Sequence, residues 1–172
     1  MATRCLAIHA VPVPVTRPPG FDGFYEQYSA LVYRTARRIT GNPADAEDVL
    51  QTVFLRVLNQ GDLRLELPSA EAYFRRASTN VSIDVLRRRM AHAETSLDGM
   101  VSQPARETTP LLKERLRRAI AGLSAEDAEL FLLRNLEGWS TLELAQQFGI
   151  ERGTVGSRLF RIRQALQKAI EE

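Results

Sequence analysis

Apolar residues recur every three to four positions along most of this chain, and each run is bounded by a capping or turn residue. Asp22 caps a first run in which Phe24, Tyr28, Leu31, Val32 and Ile39 form a stripe, predicting a helix to about Thr40 that Gly41 ends. Asn42-Pro43 restarts the chain as cap and first helical residue. That second helix, to about Asn59, buries Ala46, Val49, Leu50, Val53, Phe54 and Val57. Its other face shows Asp45, Asp48, Gln51, Thr52 and Arg56. Acids in a first turn suit the positive end of the helix dipole, which accounts for Asp45 and Glu47 but leaves Asp48 and Gln51 without a task. Gln60 to Pro68 reads as a loop. Ser69 opens a long helix to about Ala93, with Tyr73, Phe74, Ala77, Val81, Val85 and Leu86 packing inward in part.

After a stretch of Ser, Thr, Gly and Pro without periodicity, helical spacing resumes at Leu111 with Leu112, Leu116 and Ile120. Ser124 with Asp127 forms the next cap, for a helix to about Leu136 that buries Leu130, Phe131 and either Leu132 or Leu133. Gly138 stops it, and Trp139 is expected to pack beneath the two helices after it. Ser140-Thr-Leu-Glu143 is a capping box, starting a short helix with Leu142, Leu144, Ala145 and Phe148 as apolar positions. Gly149 supplies a turn that requires positive φ. A last helix from about Arg152 places Val155, Leu159, Ile162, Leu166 and Ile170 on one stripe. Arg152, Ser157, Arg161, Gln164 and Lys168 lie opposite, with Arg158 and Arg163 on the flanks. Small residue, tight turn and basic second helix together make a helix-turn-helix. No run alternates as a strand does, so the fold class is all-α: two small helical domains joined by a flexible linker, the second a four-helix domain.

Composition narrows the function classes. The 172 residues carry a net charge of only +2, yet the charge is unevenly placed. Arg75, Arg76, Arg87, Arg88 and Arg89 face only Asp84 between residues 73 and 89, which suggests a phosphate-binding surface on the long helix. Cys5 is the single cysteine, which excludes an intrachain disulfide and fits a reducing compartment. Cys5, His9 and His92 fall short of a zinc ligand set. Asp45, Asp48 and Asp84 fall on separate predicted helices with no phosphate loop nearby, so no catalytic or metal site is expected, nor any cofactor or small-molecule substrate. Residues 6–15 are apolar but interrupted by Pro12 and Pro14 and too short to span a membrane, so residues 1–20 read as a flexible leader.

The two halves, in this order, resemble a sigma factor of the extracytoplasmic-function group, the dissociable promoter-recognition subunits of bacterial RNA polymerase. The resemblance to region two rests on Asp45-Ala-Glu-Asp48-Val-Leu-Gln51-Thr-Val-Phe54-Leu-Arg56, then Ala72-Tyr-Phe-Arg75 through Asn80, Asp84 and Arg87-Arg-Arg89. For region four it rests on Leu132-Leu-Arg134, Glu137-Gly-Trp-Ser140, Leu144 to Ile150, and Gly153 to Arg161. Spacing from Ala-Tyr-Phe-Arg to Asn80 and Asp84 also resembles the iron-citrate-type subgroup. The implied organisation is residues 1–20 leader, 21–93 region two, 94–110 linker and 111–172 region four.

The resemblance implies binding to core RNA polymerase, promoter selection and help in opening the duplex, with no catalytic site of its own. It implies a cytoplasmic location and an anti-sigma partner as well. Asp48, Gln51, Thr52, Phe54, Arg56 and Leu58 match the segment that docks on core polymerase, although the family commonly has Glu where Thr52 stands. For the minus-ten element and its melted non-template strand, Asn80 and Asp84 are the candidate base contacts and Arg87 and Arg88 the backbone contacts, while Gln60 to Pro68 matches the segment that cradles a flipped base. Asn80 also fits as a polar residue satisfied inside the bundle. For the duplex minus-thirty-five element the matching residues are Arg152, Thr154, Gly156, Ser157, Phe160 and Arg161, with Arg158 and Arg163 holding phosphates. Arg161 is the best candidate for base readout, and Phe160 fits either the core or the DNA face. Gly156 replaces a usual Lys or Arg, and Glu151 stands where Ser or Pro is usual, which puts the strength of upstream recognition in question. The rival reading is a conventional helix-turn-helix regulator of duplex DNA; it accounts for the second half and leaves the Asp48–Gln51 face unexplained.

Overall fold

The computed structural model describes residues 21–59, 69–95 and 109–171, and every regular element in them is a helix. In chain order these are α1 (Phe21–Thr40), α2 (Pro43–Asn59), α3 (Ser69–Thr95), α4 (Thr109–Gly122), α5 (Ala125–Asn135), α6 (Thr141–Phe148) and α7 (Arg152–Glu171). Both ends of the expected linker are helical: α3 runs two residues past Ala93 and α4 begins two before Leu111. The remainder of that linker, the leader and the loop from Gln60 to Pro68 lie outside the described residues.

Local signals explain where the helices start and stop. The Asn42 side chain accepts from the amide of Ala44 at 3.0 Å, opening α2. Ser140 accepts from the Glu143 amide at 3.2 Å while the Glu143 carboxylate accepts from the Ser140 amide at 2.7 Å, so the capping box is complete. Hydrogen bonding to the Glu143 carboxylate, from the Ser140 hydroxyl first and then from the Ser140 amide, holds that carboxyl below its ordinary pKa. Gly149 sits at φ 63°, where a Cβ would be strained, and its amide donates to Ala145.

Helices α1, α2 and α3 bury one core: Val32, Ala46, Val49, Val53 and Phe74 are sealed from solvent. The Phe74 ring stacks on Tyr28 at 4.7 Å and on Phe54 at 5.3 Å between centroids. Burying a side chain of that size stabilises by roughly 1.5–3 kcal/mol. Helices α4 to α7 build a second core on Ala128, Leu130, Leu132, Leu133, Leu144, Val155, Leu159, Ile162 and Leu166. Both Leu132 and Leu133 are buried, and Trp139 packs against this core as expected. Leu142, expected to face inward, is 48% exposed, because Leu144 and Ala145 already fill the inner side of so short a helix. Leu112 is exposed too, at the start of α4.

The second core also takes Ile39 from α1 and Ile83 and Leu86 from α3. Helix α3 is therefore packed on two sides. Val81 and Val85 face α1 and α2 while Ile83 and Leu86 face α4 and α5. Ser78, Thr79 and Ser82, also buried, turn their hydroxyls to carbonyls of the preceding turn at 2.9, 2.8 and 2.6 Å, which satisfies them inside the bundle. Gly41, between α1 and α2, sits at φ 75° with the Arg117 guanidinium of α4 against it, so a Cβ there would meet both strain and a close contact.

Candidate nucleic-acid interface

Helix α7 presents its polar residues to solvent. Arg152, Thr154, Gly156, Ser157, Arg161 and Arg163 are all exposed. Phe160 is 60% exposed, so it belongs to the outer face and not to the core. With Val155, Leu159, Ile162 and Leu166 buried, the face opposite them carries Ser157, Phe160 and Arg161 at its centre. Glu151 occupies the N-cap position, where its carbonyl accepts from the Val155 amide at 3.1 Å.

Arg158 departs from its expected role. Its side chain is mostly buried, and the guanidinium donates to Asp127 at 2.7 Å and to Glu126 at 3.2 Å. The Asp127 hydrogen bond, opposed by burial and aided by Glu126, raises its pKa above the ordinary arginine value. Arg158 thus ties α7 to the first turn of α5 and is not available to a phosphate. Its acidic partners also serve the N-terminus of α5, where the Asp127 amide donates to Ser124.

Helix α3 treats its arginines in the same way. Arg75 pairs with Glu71, at 2.7 Å, and with Glu137 beyond α5; Arg76 pairs with Glu129 of α5. Burial alone would lower the Arg75 pKa, but the bonds to Glu71 and Glu137 raise it above the usual value. The Glu137 side chain is 1% exposed, and Thr35 of α1 donates to it at 2.9 Å. Arg87 donates to the carbonyls of Ala121 and Leu123, at 3.3 and 2.8 Å, capping the C-terminal end of α4 with a cation. Arg89 bridges Asp45 of α2, at 3.2 Å, and Glu114 of α4, at 2.9 Å. Of the five arginines that suggested a phosphate surface, Arg88 is the exposed one, and it donates to the Asp84 carbonyl at 3.4 Å. Arg87, expected as a backbone contact, has its guanidinium on two carbonyls in this arrangement. Asp84 is exposed and Asn80 half-buried.

On α2, Asp48, Gln51 and Arg56 are exposed, and Thr52 and Leu58 are half-buried. Phe54, expected in the buried stripe of α2 and also matched to the docking segment, is 4% exposed and lies in the aromatic core, with Phe21 and Phe74 against it. The apolar residue that does stand on the outer face is Leu55, 55% exposed, one turn beyond Gln51. Its spacing from Asp48 and Gln51 was the available signal, but an apolar residue on a polar face is easily taken for noise. Among the described residues, no group of three or more His, Cys, Asp or Glu is placed to hold a metal ion, and no helix is long and apolar enough to cross a membrane.

Two family models match the chain: Sigma-70 region 2 over residues 24–92 and Sigma-70, region 4 over residues 113–166. The chain is 32% identical over 157 residues to the ECF RNA polymerase sigma factor SigE of Mycolicibacterium smegmatis, a match covering 87% of this chain and 61% of that protein. It is 32% identical over 154 residues to the ECF RNA polymerase sigma factor SigL of Mycobacterium tuberculosis, covering 86% of this chain and 87% of that one. Among solved structures, the sigma factor RpoE of Bartonella quintana, crystallised with the anti-sigma factor NepR, matches at 21% identity and a TM-score of 0.49, over 88% of this chain and 96% of that one.

Proposed function

Because the chain belongs to the extracytoplasmic-function group of RNA polymerase sigma factors, we propose that it joins core RNA polymerase through α2 and carries it to promoters that α7 and α3 read. The observation that supports this best is the pairing of two unlike exposed faces on one chain. One is the α2 face of Asp48, Gln51 and Leu55, polar with an apolar centre, which suits a protein partner. The other is the α7 face of Ser157, Phe160 and Arg161, which suits the major groove. A conventional helix-turn-helix regulator has a use for the second face and none for the first.

The division of labour follows from chemistry. Arg161 bridges two acceptors on guanine, a contact worth roughly 1–3 kcal/mol of discrimination. Phe160 beside it offers an apolar surface to a thymine methyl. Arg152 and Arg163, on the flank, hold phosphates and set the register without reading sequence. Helix α3 meets the melted strand at the minus-ten element, where Asp84 and Arg88 stand open, Asn80 is half-buried and Arg87 reaches the carbonyls of Ala121 and Leu123. Bases lifted from the stack are stabilised by polar pockets and stacking, so opening needs no hydrolysis and the protein no catalytic residue.

The chain acts in the cytoplasm, where polymerase and DNA are, and is restrained by an anti-sigma protein until its signal arrives. The spacing of Ala72-Tyr-Phe-Arg75 from Asn80 and Asp84 supports placing it near the iron-citrate-type subgroup. The test is reconstitution: purified chain and core polymerase on a library of promoter fragments. Promoter-specific transcripts are expected with the wild type, and Asp48→Ala should weaken association with polymerase while leaving duplex binding unchanged. Transcription that requires a different sigma factor would overturn the reading.

A further inference from the structure

Away from the outward faces of α2 and α7, a cavity of about 510 Å³ opens where the last turn of α1 meets α4 and α5. That volume lies within the roughly 300–1,000 Å³ of sites that take small molecules. Its floor is apolar. Ile39, Ile120 and Leu132 are buried beneath it, while Leu116, Phe131 and Leu136 are half-buried on its walls. Its rim is cationic: Arg37 and Arg38 of α1 and Lys113 and Arg117 of α4 line it, and no acidic residue does so among the described residues.

Two of these cations are struts. Arg38 donates to the Leu136 carbonyl at 2.9 Å and Arg117 to the Ile39 carbonyl at 3.0 Å, so backbone holds both at the edge. Arg37 and Lys113 are exposed, and neither side chain has an ion pair or hydrogen bond among the described residues. The dipole of α1 accounts for Arg37 in its last turn. Lys113 stands one turn into α4, where the dipole gives a cation no benefit. Its neighbour Glu114 does not offset it, since Arg89 holds that carboxylate at 2.9 Å. The cavity thus joins an apolar wall to two cations that nothing in the fold answers.

We propose that this cavity binds a small amphipathic anion: an unbranched acyl chain lies on Leu116, Phe131 and Leu136, and its carboxylate meets Arg37 and Lys113 at the rim. An uncharged apolar molecule leaves the two cations unanswered, and a small anion leaves the apolar wall in water. Only a molecule with both parts uses the whole site. Because the lining comes from α1, α4 and α5, occupancy stabilises the packing of these helices as ligand exceeds its dissociation constant. Neither DNA nor polymerase takes part, so the site stands or falls apart from the proposed function.

The probe is laurate, kept below its micellar concentration and titrated into the full chain against a dansyl-undecanoate reporter. Saturable displacement is expected, together with a rise in melting temperature. Dodecanol and acetate should each bind at least about tenfold more weakly, the loss of one half of the site. Arg37→Glu with Lys113→Glu, both at exposed positions, should weaken laurate by about tenfold or more while helix content is unchanged. Arg34→Glu with Arg118→Glu removes two exposed cations that lie outside the cavity and should leave laurate binding at the wild-type value. Leu116→Trp fills the cavity and should abolish both the binding and the melting shift. Absence of saturable binding, or dodecanol bound as well as laurate, would overturn the site. So would an equal loss in the two charge-reversed pairs, which would mean only a general attraction of anions to a basic surface.

Discussion

Helices α3 and α7 are both rich in arginine, and they use it in opposite ways. On α7 the outward face keeps Arg152, Arg161 and Arg163 in solvent, and a single arginine, Arg158, is tied down as a strut. On α3 the proportions reverse: Arg75, Arg76, Arg87 and Arg89 are engaged by other helices and Arg88 stands open. The reason is packing. Helix α7 lies at the edge of its body with one buried stripe, whereas α3 is buried on two sides and its arginines sit at the margins of both cores. A helix between two bodies finds partners for its charges, and a helix at an edge keeps them for a ligand. Charge content alone does not identify a nucleic-acid surface.

The contrast between the two helices should show most strongly in Arg76→Ala. Removing this arginine leaves the Glu129 carboxylate, 8% exposed as a side chain, without its cation, and stability should fall by about 2–3 kcal/mol. Chemical denaturation measures this; a loss below about 0.5 kcal/mol would mean the pair is ornamental. Arg161→Ala should show the opposite pattern. Its melting temperature stays at the wild-type value, while discrimination between matched and mismatched upstream elements drops by roughly 1–3 kcal/mol in duplex binding titrations. Arg163→Ala weakens all sequences alike.

Leu55→Ala gives a smaller effect and bears on the other face of the first body. Losing an exposed apolar side chain leaves the fold intact, and association with core polymerase weakens by about 1–1.5 kcal/mol, near tenfold, at the coefficient for buried apolar area. Gly156→Arg approaches the α7 surface from the side of gain. A Cβ at Gly156 meets nothing within 4 Å, so the helix is stabilised by up to about 1 kcal/mol. Affinity for duplex DNA should rise, with a salt dependence steeper by about one counterion.

Acid fraying of α6 is the weakest effect of the set. The Glu143 carboxyl is held below its ordinary value of 4.5 by its bonds to Ser140. A depressed carboxyl stabilises the fold fully above that ordinary value, and the contribution is lost as pH falls through the lower, folded-state pKa. Glu143→Gln should therefore flatten the pH dependence of helix-turn-helix stability below about pH 4.5, as followed by Trp139 fluorescence.

Much of this architecture was legible in the chain because its signals are local. Ser140 to Glu143 is a four-residue pattern, and the Asn42-Pro43 and Gly149 turns need only their neighbours; all formed as expected. The stripes of α1, α2 and α7 were legible because each of those helices buries one main side. Helix α3 was harder to read for a physical reason: burial on two sides spreads apolar residues around the helix, so Ile83 and the inward hydroxyls of Ser78 and Ser82 carry no simple period. The partners of Arg75 and Arg76 are 62 and 53 residues away, and no local pattern announces a pair at that separation. Leu55 shows the same limit at close range, beside Phe54, whose burial the stripe of α2 predicts. They are adjacent apolar residues, and helix rotation alone decides that Phe54 joins the aromatic stack while Leu55 faces outward.

Whether one chain grips a promoter at two places is decided by footprinting it with core polymerase on a single promoter fragment. Two protected segments are expected, about 25 base pairs apart between their centres, with permanganate-reactive thymines in the downstream one. Protection confined to the upstream segment, with the downstream duplex closed, would contradict a two-handed grip.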